Sequence, residues 1–383
     1  MASWKQTFQR WGIGSTGGLL MAAVLMTLPS GCQQAPVAPA EITPIVEGQM
    51  NFKPLWSRLV ALDEQGGEHV INAWRLGEQV VVSTSGTTLV ALNAKAGTIQ
   101  WRTEFTDKRF KLLKPALTDS KKSLIVINQV QAWKVDVQTG AINKQENFEF
   151  AAASDPVVAG DSLFVGGAAD YLHCLHVNIF ARPKWTIWSP KDTFTNPVTV
   201  TPGNITAVSS KGLIWRTNSD KGGTGWQRRV TGEGAASATA DSTGTLLLVP
   251  SLDRKLYCFD VITGNLSWEV RLDGKLDQPP RIAPGVILQV GSGKGLYGVT
   301  PGQRGGEIKW FTPGITKIIM TASDRAYCQN EANDIVAVDL ITGQVSAKAT
   351  LPGIAGMFVF GNSEEGIIYT IAPTGRVYAF STR

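Results

Sequence analysis

Two histidines and a cysteine stand close together in His173-Cys174-Leu175-His176, the one local constellation in the 383-residue chain with metal-ligand character. Side chains alternate along a strand, so Cys174 and His176 would share a face while His173 points the other way. Zinc needs at least three protein ligands, and His69 is the only remaining histidine, so no metal is expected here. The other chemical motifs are missing as well. There is no nucleophile elbow, no phosphate loop and no dinucleotide fingerprint opening a helix. The chain is therefore expected to use no cofactor and to be no enzyme. Cys258 and Cys328 lie two repeat units apart, too far around a ring to bond to one another; buried thiols are the expectation.

One further cysteine points to modification rather than catalysis. Lys5 and Arg10 precede an apolar stretch over residues 19–28 (LLMAAVLMTL), the layout of an export signal and too short to span a bilayer. It ends in Leu28-Pro29-Ser30-Gly31-Cys32, which resembles the lipobox of bacterial lipoproteins, although Pro29 stands where that pattern has an aliphatic residue. The resemblance implies cleavage after residue 31, lipidation of Cys32 and tethering to a membrane. Gln33, rather than Asp, follows the cysteine, which by the same resemblance favours the outer membrane with the protein facing the periplasm. Residues 32–50 are rich in Pro and Ala and read as an extended tether, leaving 51–383 as the folded domain.

Composition narrows the class of that domain. Hydrophobic residues make up 43% and charged residues only 17%, which excludes a disordered chain or coiled coil, and 40 glycines recur between short apolar runs as in a turn-rich β protein. The net charge of +5 falls to +3 without residues 1–31, too balanced for a nucleic-acid partner.

The strongest signal is repetition. LVALNAKAGTIQW (89–101) and LYCFDVITGNLSW (256–268) share a strand ending in Asn or Asp, a Gly four residues on and a Trp four residues after that. Weaker copies carry Asp136 with Gly140 and Asp339 with Gly343, with Lys144 and Ala347 where Trp would stand. A short acceptor side chain at a strand end can satisfy backbone N–H groups in an Asx turn, and glycine takes the positive φ that follows. Each Trp then opens an outer strand and staples its unit to the next, its N–H reaching an edge carbonyl. The Trp-equivalent positions are 56, 101, 144, 185, 226, 268, 310 and 347, a period near 42 that implies four strands per unit. The last strand (376–380) lacks a following Trp, and the strand around Trp56 lacks a preceding one. The two complete each other, predicting an all-β, eight-bladed β-propeller with four-stranded blades, closed by pairing of its N- and C-terminal strands.

These units resemble PQQ-type propeller repeats. With the lipoprotein signal and tether they resemble the propeller lipoproteins of the outer-membrane barrel-assembly machinery. That resemblance implies a non-catalytic scaffold, a monomer within a complex, which binds protein partners through its loops. The alternative carried by the repeat's name is a PQQ-dependent quinoprotein dehydrogenase or a ligand-binding envelope propeller. For the partner-binding residues, the irregular stretch 177–194 (VNIFARPKWTIWSPKDTF) supplies Phe180, Arg182 and Trp188, all outside the regular staple pattern and of types that dominate binding hot spots. A basic group, Lys108, Arg109, Lys111 and Lys114 with Lys121 and Lys122, is read as a solvated connection between blades.

Overall fold

Short alternating apolar runs broken by glycine turns form strands too brief to be stable alone, and they gain stability by stacking sheet on sheet. The computed structural model describes residues 45–48, 52–63, 65–106, 108–350 and 358–382, and shows no α-helix among them. The signal over 1–31, Cys32 and the first part of the tether lie outside the described residues.

Eight four-stranded antiparallel sheets stand in a ring. Blades 1 to 7 span residues 70–104, 116–147, 157–188, 199–229, 239–271, 281–313 and 315–350 in simple meanders, each first strand innermost. Blade 8 combines three strands over 358–381 with Lys53–Leu59, which pairs antiparallel with Arg376–Ser381. The closure expected from Trp56 and the C-terminal strand is therefore present. All eight positions of the period fall on the fourth strand from the ring's centre in their blades. Within the stretch read as tether, Ile45–Gly48 pairs with Val345–Thr350 as a fifth, outermost strand of blade 7.

The core lies between blades. Second strands such as Leu246–Pro250 and Val286–Gly291 are buried along their whole length because both faces meet a neighbouring sheet, which explains their unbroken apolar runs. Cys174, Cys258 and Cys328 are free and buried in this layer; burial pushes their thiols up to about 11, 12 and 12. They are inert packing groups.

The turn-and-staple unit has the expected geometry. Asp260 Oδ1 accepts from Ile262 N, Thr263 N and Thr263 Oγ1 at 3.1, 2.8 and 2.8 Å, and Asp136 and Asp339 repeat the pattern. These bonds, led by the backbone N–H of the threonine, hold all three carboxyls below the usual range. Five indoles cross to the following blade and donate to a backbone carbonyl: Trp56 to Ala94, Trp101 to Val137, Trp226 to Val261, Trp268 to Gly302 and Trp310 to Leu340, at 2.7–3.1 Å. Each lies flat on the turn glycine of that blade. At Gly264 (φ +68°) an added Cβ would stand 2.5 Å from the Trp226 ring, so the position needs glycine for its backbone and for the space.

Candidate partner-binding surface

Blade 3 departs from this scheme on both sides. Where blade 2 should supply a tryptophan it supplies Lys144, whose ammonium bonds Asn178 O in the outer turn of blade 3, while Lys134 bonds Asn178 Oδ1. Glu146 completes a polar clamp: Oε1 pairs with Lys144 at 2.7 Å, and Oε2 accepts from Phe180 N and Ala181 N at 2.6 and 3.1 Å. Burial would raise the Glu146 pKa, but Lys144 and the two N–H bonds outweigh it and hold the carboxyl low. On the other side, Trp185 lies over Gly222 of blade 4, yet its Nε1 has no hydrogen-bond partner. Lys184 instead bridges the joint to Asp220 at 2.5 Å.

The stretch expected to be an irregular loop is largely a strand, Ile179–Trp188, the longest of the described residues. A bulge lies where it pairs with Tyr171–His176: Cys174 faces Trp185, Leu175 faces Pro183 and His176 faces Ile179. The extra residues change the alternation, and the three candidates separate accordingly. Phe180 is wholly buried among Phe148, Leu163, Leu175 and Val177, which corrects its expected place on a docking surface. Arg182 and Trp188 are both exposed but sit six residues apart on one strand, roughly 20 Å at ~3.3 Å per residue. They do not form one patch.

Trp188 has company that sequence reading missed. It is 57% exposed and faces Tyr171, 40% exposed, across the strand pair. Behind Tyr171 runs an aromatic ladder: His173 at 5.9 Å, Phe150 stacked on His173 at 3.6 Å and Phe148 stacked on Phe150 at 4.7 Å. Phe148 and Phe150 come from the link between blades 2 and 3, so the exposed pair rests on a rigid support. Burial lowers the His173 pKa to about 4, so the ring is neutral at pH 7 and Phe150 stacks on an uncharged imidazole. His176 faces away and accepts from Asn178 N at 3.0 Å through Nδ1. Among the described residues no group of three or more His, Cys, Asp or Glu is placed to hold a metal. The Phe148-x-Phe150 alternation was the available signal for the ladder.

The basic group is dispersed. Lys108 pairs with Glu104 at 2.7 Å, Arg109 lies over Phe110, and Lys121 and Lys122 sit on the next turn.

Eight four-stranded blades closed by a terminal strand pair, with Asp-Gly-Trp turn units, define a PQQ-type β-propeller. The family model described as outer membrane protein assembly factor BamB matches residues 51–178 and 210–382, and the chain belongs to that family. Among solved structures, BamB from Moraxella catarrhalis superposes with a TM-score of 0.68 at 15% identity, covering 86% of this chain and 98% of that one. The computationally designed Ika8 protein superposes with a TM-score of 0.62 at 11% identity, over 82% and 96%. At such identities these two likenesses speak for the fold. A search of curated proteins finds no match.

Proposed function

We propose that the chain is a non-catalytic scaffold, lipid-tethered through Cys32 to the outer membrane and facing the periplasm, which docks a protein of the barrel-assembly machinery. Its family membership carries the reading, because the family is described by that assembly role. The surface offered is the Tyr171–Trp188 pair, with Arg182 exposed farther along the same strand. Exposed aromatics on rigid support fit such docking, since little side-chain entropy is lost when they are covered. The propeller presents its loops without needing any reactive group.

The test is cross-linking in the native envelope, followed by affinity purification and mass spectrometry of the captured chains and of the N-terminal peptide. Capture of the barrel-assembly channel together with an acylated Cys32 is expected. A soluble protein with a free, unprocessed N-terminus, or capture without that channel, would overturn the proposal.

A further inference from the structure

The innermost strands, which line the ring's central opening, carry almost no charge. Ala116–Leu117, Val157–Ala159, Thr199–Thr201, Thr239–Ala240 and Phe358–Asn362 have none. Three cations break the pattern. Arg75 of blade 1 is paired with Glu365 at 3.3 Å. The other two, Arg281 of blade 6 and Lys317 of blade 7, lie on adjacent inner strands and line one cleft of about 490 Å³ together with Gln278, Thr316 and Gln329.

No carboxylate lines that cleft, and neither cation forms an ion pair among the described residues. The nearest acid in sequence, Asp277, is held by Ser292 Oγ at 2.7 Å. Asp155, whose pKa burial raises, lies in the link between blades 2 and 3, well around the ring. The walls are fixed: Gln278 Nε2 donates to Thr316 O at 2.8 Å, tying blade 6 to blade 7, and Lys317 Nζ donates to Val359 O of blade 8 at 2.9 Å. Among the described residues, that leaves two ammonium protons of Lys317 and the whole guanidinium fork of Arg281 without a protein acceptor. Both side chains are open to solvent, yet the packed blades around them lower the pKa of each, and the Arg281 charge lowers that of Lys317 further. Two neighbouring cations without a carboxylate beside them make the cleft attractive to an anion.

We propose that the cleft between the inner strands of blades 6 and 7 binds an oxyanion, a phosphate or carboxylate group held by the Arg281 fork with Lys317 supplying a second charge. The planar fork matches two oxygens of either group, and an ammonium alone would not select that geometry.

The test is calorimetric titration of the purified protein with inorganic phosphate and, separately, with acetate at constant ionic strength, alongside thermal melting. At least one anion is expected to bind; Arg281→Gln and Lys317→Met should each weaken it at least tenfold, whereas Lys121→Gln with Lys122→Gln should leave it unchanged. The bound anion should raise the melting temperature of the parent but not of Arg281→Gln. Lys317→Met, which also loses the bond to Val359 O, should show no anion-dependent rise in melting temperature either. Comparison of the two titrations identifies the oxyanion. Absence of binding by both anions to the parent, or equal binding by parent and cleft variants, would overturn the proposal.

Discussion

Blade 5 and blade 3 are built from the same four-strand meander, yet they are joined to their neighbours by different physics. Blade 5 receives the Trp226 indole on Gly264, with the indole N–H satisfied by Val261 O at 2.9 Å, a buried joint with little polar residue left over. Blade 3 receives a lysine and a glutamate on the Asn178 turn, and passes on a tryptophan whose Nε1 has no partner. Blade 3 also exposes two large aromatics, Tyr171 and Trp188. Blade 5 is joined to the blade before it by an indole, whereas blade 3 is joined to its own by a polar clamp and presents an aromatic pair outward.

Breaking the regular joint should cost most. Trp226→Ala should destabilise by about 3–5 kcal/mol, the range for deleting a buried tryptophan, measured by chemical denaturation. Gly264→Ala attacks the same joint from the other side, through a positive φ and a ring 2.5 Å from the new Cβ, and should cost about 2–3 kcal/mol. A similar loss from Trp226→Ala and from the double variant would establish that the two residues act as one contact.

Acid should sharpen the contrast from the side of blade 3. His173 is held at about 4 against an ordinary 6.5, so the unfolded chain takes up the proton first as pH falls. The associated stability is present above pH 6.5 and is lost between there and about 4, at most about 3 kcal/mol. His173→Phe should flatten this limb of the pH–stability profile; the carboxylates of the Asx turns, also held low, would still contribute below their unfolded pKa.

The polar joint should matter least to stability. Lys144→Ala is expected to cost within about 1 kcal/mol, since its ion pair with Glu146 is partly solvated. Trp188→Ala should change stability by less than about 0.5 kcal/mol and yet reduce partner capture at least tenfold. A large loss of stability in Trp188→Ala would make it a structural residue and erase the distinction between the two blades.

Most of the ring was legible in the sequence because its determinants are local. An Asx acceptor, a glycine four residues on and a tryptophan four beyond it form one hairpin, and their repetition at ~42 residues counts the blades without any long-range information. The ring closure followed from one unpaired strand at each end. The candidate surface was less legible, since it depends on register. The bulge opposite Leu175 changes which residues of 179–188 point inward, sending Phe180 to the core, and the length of that strand separates Arg182 from Trp188. Tyr171 and the Phe148–Phe150–His173 ladder come from separate elements that only tertiary structure brings together. The fifth strand of blade 7 lacked a signal because Ile45–Gly48 follows a proline-rich stretch and pairs with a strand some 300 residues away.

The most direct test of the central claim is site-specific photo-cross-linking in the native envelope, with the reactive group placed at position 188 and, for comparison, at position 262. Ile262 is 77% exposed on the outer turn of blade 5, so accessibility alone would favour it. The account predicts a discrete adduct with the barrel-assembly channel from position 188 and none from position 262. The same adduct from both positions, or one from position 262 alone, would contradict it.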